Sequence, residues 1–219
     1  TLTGGPLVPV QGSSSGLSPA DPTAMGSITV VPVPAAYQAN APVTVTVALK
    51  PNGDLKGYLN SINDPSSSHY RQFLTASGIG QRFGVGSGNY ATVVAYFQGF
   101  GLTVTTSQTL LTLSVGGTVA QISAAFHTSL AAFHEVYASQ GMYRPAFGNA
   151  SGKAGTTETG PTFYANTAEA QLPSGLTALV SGIAGLDGIA ATPNVRMPLR
   201  FHPGMSPSET AGWTGKNTS

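Results

Sequence analysis

His127, His134 and Glu135 lie close together in the chain, and Ser and Thr are abundant throughout it. A hydrolytic triad needs a nucleophile, a base and an orienting acid within hydrogen-bond reach. No Gly-x-Ser-x-Gly elbow joins a strand to a helix, and each of these histidines follows a phenylalanine, Phe126 or Phe133. Both histidines therefore read as structural. They stand seven residues apart, which matches no helical ligand pair at i, i+4, and the His-Glu-x-x-His context of zinc peptidases is missing. Gly84-Val85-Gly86-Ser87-Gly88 precedes a helical stripe, and helix N-termini hold phosphate. It lacks both the Lys-Ser/Thr of a phosphate loop and the third glycine of a dinucleotide fingerprint, so it reads as a turn with an N-cap. Asp54, Glu135, Glu158, Glu169 and Asp187 are scattered over different elements, and no two can be paired for acid/base work. The absence of cysteine removes disulfides, thiolate zinc sites and cysteine nucleophiles together.

The elements that would position such groups follow from hydrophobic period. Val43, Val45, Val47 and Leu49 alternate with Thr44, Thr46 and Ala48, a half-buried strand ended by Pro51-Asn52-Gly53. Leu55, Tyr58, Leu59 and Ile62 mark one helical face, stopped by Asp64-Pro65. Tyr70, Phe73 and Leu74 predict a shorter helix after residues 66–68, and Tyr90, Val93, Val94 and Phe97 a third, closed by Gly99 and Gly101. Leu102/Val104 and Leu111/Leu113/Val115 read as a strand pair, and Thr118 caps a helix carrying Val119, Ile122, Phe126 and Leu130. Residues 133–137 and 143–147 predict a hairpin, 149–160 a polar Gly/Thr excursion, Phe163–Tyr164 an extended piece, and Leu176, Leu179, Val180 and Ile183 the last helix.

This order predicts an α+β fold: a ferredoxin-like split β-α-β with helices on one face of an antiparallel sheet. The other face is left for water or a partner. Residues 1–42, dense in Gly and Pro, read as an extended leader with a short edge strand near 28–31, residues 43–189 as the folded domain, and residues 190–219 as a linker. Fully extended, that linker reaches about 100 Å.

Nine Lys+Arg against eight Asp+Glu in 219 residues give a net charge of +1. That excludes a strongly electrostatic nucleic-acid binder, including a ferredoxin-like RNA binder, which needs a basic-aromatic surface. The apolar stretch 176–191 is too short and too interrupted to span a bilayer, so no membrane partner is expected. Scarce lysine, sequons at Asn149 and Asn217, and a start without Met or signal peptide point to a secreted chain already processed.

Eight motifs in order resemble one family: Val-Thr-Val-Ala-Leu-Lys-Pro-Asn at 45–52, Leu55 with Tyr58-Leu59, Asp64-Pro65 leading to His69-Tyr70-Arg71-Gln72-Phe73-Leu74-Thr75, Phe83, Gly101-Leu102-Thr103-Val104, Leu113 to Thr118, Ala125-Phe126-His127-Thr128, and Leu172-Pro173 with 180–186. The series is similar to the activation domain, or pro-segment, of the sedolisin (kumamolisin-like serine-carboxyl peptidase) family. Ser68, Gly84-Val85 and the 149–160 loop depart from it. The resemblance implies a ferredoxin-like propeptide that docks on a subtilisin-like catalytic domain of the same precursor, assists its folding and keeps it inactive until acidic pH. It places the Ser, Glu and Asp of catalysis, and a calcium site, in that other domain, so no catalytic residue, metal or cofactor is assigned here. The Pro-broken tail would thread the substrate cleft, with Phe201 and Trp213 as anchors and processing near Ser219. The alternative is a secreted surface or binding module without protease function.

Overall fold

Alternating Val and Thr along 43–49 form a strand because β-branched side chains suit a pleated surface with one dry side. The computed structural model describes residues 2–25, 28–137 and 158–187. In chain order the elements are β1 (Leu7–Pro9), β2 (Thr23–Met25), β3 (Ile28–Pro32), a 3-10 turn (Pro34–Ala36), β4 (Pro42–Leu49), α1 (Leu55–Asn63), α2 (Ala76–Phe83) and α3 (Ser87–Gln98). They continue with β5 (Thr103–Thr106), β6 (Thr112–Thr118), α4 (Val119–Ala125), β7 (Leu130–Tyr137), β8 (Glu158–Asn166), β9 (Gln171–Pro173), α5 (Ser174–Thr177) and β10 (Val180–Ala184).

The main sheet has the order β10-β4-β6-β5, every pair antiparallel. Helices α1 to α3 connect β4 to β5, and α4 follows β6. This is the split β-α-β arrangement, and the fold is α+β as the period predicts. Val45, Val47, Leu113 and Val115 from the sheet, Val93 and Phe97 from α3, and Val119 and Ile122 from α4 share one core in which each is at most 1% exposed. The rings of Phe97 and Phe126 meet at 5.1 Å there. Helix α4 starts as its sequence dictates: the Thr118 hydroxyl accepts from Gln121 N–H while Gln121 Oε1 accepts from Thr118 N–H, a capping box.

Five expectations are corrected. The expected strand near 28–31 is present as β3, but it lies between β2 and β7 in a second sheet of order β2-β3-β7-β8 rather than at an edge, and the segment before it adds β1, paired with β9, and β2. Gly and Pro bar helices there, but Pro9 and Pro32 close their strands, where a missing N–H is tolerated. Val30 and Leu17 are buried with Phe133 and Ala165, so the segment supplies core. No helix forms at 70–74. Ser66 N–H bonds to Asp64 Oδ1 and His69 N–H to Ser67 Oγ, local bonds that compete with helical ones. The helix begins only after Thr75, whose hydroxyl accepts from Gly78 N–H.

The last helix is a four-residue turn, α5, and Val180 and Ile183 belong to β10. The β-branched Val180 and Ile183 favour the strand, Gly182 marks an irregularity in its register, and β4 offers it a free edge. It is β10, not 133–137, that closes the main sheet, whereas β7 pairs with β3 and β8. Finally, α4 ends at Ala125 and Leu130 opens β7, because His127 turns the chain at a φ of +44°. The predicted strand 143–147 lies outside the described residues, as does most of the 149–160 excursion.

Two measurements check this core. Phe126→Ala is expected to cost about 3–5 kcal/mol in urea unfolding, since the ring is fully buried. Burial pushes the Tyr96 hydroxyl up to about 12, and that hydroxyl donates to Ala125 O. With the folded value above the unfolded one of about 10, its contribution is whole below about pH 10 and is lost as pH rises toward 12. Tyr96→Phe should remove that portion of an alkaline melting profile.

Candidate docking face

The residues that alternation turns away from the core form the other face of the main sheet. Register aligns Ala184 with Thr46, Thr46 with Ser114 and Ser114 with Thr105 in one row across four strands. The neighbouring row runs Thr44, Gly116 and Thr103. Thr44, Thr46, Thr103 and Thr105 are exposed, while the helices' buried side chains join the core on the opposite side.

The chemistry of this face is uniform. Threonine offers a methyl and a hydroxyl on a stiff side chain, so covering it freezes little motion. Gly116 and Gly182 lower the surface, and a Cβ at Gly182 would meet open space. No ionisable group lies in these rows. Such a surface suits close packing against a flat element of small or apolar side chains and has no charge through which to respond to acid.

The other sequence-derived candidates are dispersed. His127 is exposed after α4, its ring edge-on to Phe100 at 6.3 Å. His134 lies in β7, opposite Val31 and Thr162, with Glu135 next to it. Among the described residues no three His, Asp or Glu side chains gather as metal ligands would. Of the glycines of 84–88, Gly84 serves packing, since a Cβ there would strike the Leu110 side chain and the Gly80 carbonyl, and Gly86 caps α3 at a φ of +86°. Asn149, Phe201, Trp213, Asn217 and Ser219 lie outside the described residues. No helix of the described residues is long and apolar enough to cross a membrane.

A split β-α-β sheet with helices on one side leaves an exposed, uncharged second face. Over residues 34–189 the chain matches the family described as Pro-kumamolisin, activation domain, and it belongs to that family. It is also similar to Xanthomonalisin from Xanthomonas sp. (strain T-22), with 29% identity over 158 residues. That match takes in 71% of this chain and 16% of the relative's length. The motif series from Val45 to Leu186 falls within the matched segment, whereas β1, β2 and β3 lie before it. The period of β4 signals a one-sided strand. What sequence alone does not signal is that nothing else in the described fold crosses the Thr face.

Proposed function

We propose that this chain is the propeptide of a sedolisin-type serine-carboxyl endopeptidase, inhibiting it and assisting its folding until cleavage at acidic pH. The observation that carries the reading is the helix-free Thr/Ser face in a chain of the activation-domain family. In this reading the partner is the subtilisin-like catalytic domain of the same precursor, which holds the Ser, Glu and Asp of catalysis and any calcium. The precursor is secreted. Residues 190–219 thread its cleft, with Phe201 and Trp213 as anchors.

The acid switch follows from linkage. A carboxylate bonded in the complex has a lowered pKa, so its stabilisation is present at neutral pH and is lost as pH falls through that value. This chain offers eight carboxylates in all. Two hydrogen bonds from Ser66 hold Asp64 below the usual carboxylate range, but both are internal to its own turn. The switch therefore rests chiefly on carboxylates of the partner.

Thr46→Lys is expected to leave the melting temperature of the chain unchanged, since the residue is exposed. It should weaken inhibition of the mature peptidase at least tenfold by placing a charge on the face to be covered; undiminished inhibition would refute the docking role. Replacing this chain's Asp and Glu by Asn and Gln should leave acid release largely intact, measured as the pH at which activity appears. Mass analysis of the processed enzyme should find its first residue beyond Trp213, and a first residue before Phe201 would exclude the threading tail.

A further inference from the structure

The segment between α1 and α2 is built more tightly than a connection requires. Ser67 N–H donates to Asp64 O, Tyr70 N–H to Ser67 O, Arg71 N–H to Ile62 O and Gln72 N–H to His69 O. From α1, the Tyr58 hydroxyl donates to Gln72 O at 2.8 Å and accepts from Leu74 N–H at 3.0 Å. Arg71 is held at a φ of +58°, a left-handed conformation that is strained for a residue with a side chain. The outcome of this bracing is an aromatic ring in water: Phe73, between two anchored neighbours, is 71% exposed. Tyr70 is exposed too, with the Arg71 guanidinium 5.3 Å from its ring centre. Ordered aromatics and arginines on a surface are the composition of an interface centre.

A cavity of about 280 Å³ adjoins the loop, lined by Tyr58 and His69 together with Asp54, Gly57, Ser61 and Arg82. The Asp54 carboxylate caps α1, accepting from Gly57 N–H at 2.7 Å. The Arg82 guanidinium lies 5.1 Å from the ring centres of Tyr58 and Phe83, and among the described residues it meets no carboxylate. All the lysines and arginines of the described residues, Lys50, Lys56, Arg71 and Arg82, fall in this stretch. Its two acids, Asp54 and Asp64, bond within their own turns. Those hydrogen bonds leave both carboxylates charged, so four cations against two anions give residues 50–82 a net charge of +2. That excess favours an acidic partner, whereas a second copy would bring the same charge against it.

We propose that the Tyr70–Phe73 loop and the Arg82 cavity form a second docking site for the peptidase domain, taking an Asp or Glu side chain into the cavity while Phe73 enters an apolar recess beside it. The inference rests on the propeptide reading and adds what the uncharged sheet face lacks. Charge pairs fix orientation and speed encounter, and a preorganised aromatic binds with little ordering cost. Contact through Arg82 weakens with salt, whereas contact through the Thr face does not.

The test measures inhibition of the mature peptidase of the same precursor by the 219-residue chain at neutral pH, at low and at high salt. Phe73→Ser should keep the melting temperature and raise the inhibition constant at least tenfold. Arg82→Gln should weaken inhibition at low salt and flatten its salt dependence, with the melting temperature recorded alongside. Unchanged inhibition by Phe73→Ser, with Thr46→Lys still disruptive, would overturn this site and leave the propeptide reading standing. Failure of the unmutated chain to inhibit would overturn both. A chain that elutes as a dimer and becomes monomeric on Phe73→Ser, without loss of inhibition, would assign the patch to self-association and overturn the proposal.

Discussion

The whole structure depends on β4 being hydrogen-bonded along both edges. β6 lies on one side and β10 on the other, so its Val45 and Val47 sit at the centre of the sheet with neighbours in every direction. Because side chains alternate, fixing those two valines inward fixes Thr44 and Thr46 outward. A register slip of one residue would exchange the faces and bury threonine hydroxyls. The same constraint that makes the core therefore makes the docking face, with no residue set aside for the second purpose alone.

Legibility in the sequence followed the length of the repeating pattern. β4, α1, α3 and the Thr118 cap were readable because several residues each obey one period. β10 was not, since Leu176, Leu179, Val180 and Ile183 imitate helical spacing across a short helical turn and a strand. What decides that segment is remote: the free edge of β4, and the Leu2 backbone, which leaves no room for a Cβ at Gly175. β1 and β2, at three residues each, are too short to show a period at all. Their pairing is a backbone affair dictated by partners far along the chain.

The functional surfaces were harder to read than the fold, for a related reason. Exposure is a property of what fails to pack nearby, and no local pattern encodes it. Phe73 and Tyr70 have core-like spacing, and the Asp64 and Ser67 side chains, by bonding to the backbone, turn them outward instead. The histidines show the converse: their chemistry is conspicuous in sequence, yet His127 turns the chain and His134 occupies a strand. The family resemblance carried the class of the molecule, and the geometry supplied the faces.

The strand pairings also set a schedule for synthesis. Leu7 meets Pro173, and Leu49 meets Val180. Contacts of such long range are slow to form, and a chain emerging from the ribosome N-terminus first cannot make them early. β1 has no partner until β9 (Gln171–Pro173) has cleared the exit tunnel, and β4 is paired along one edge alone until β10 (Val180–Ala184) has done so. Any sequence following this chain would emerge only after β10, and so would meet a scaffold that already has its last strand.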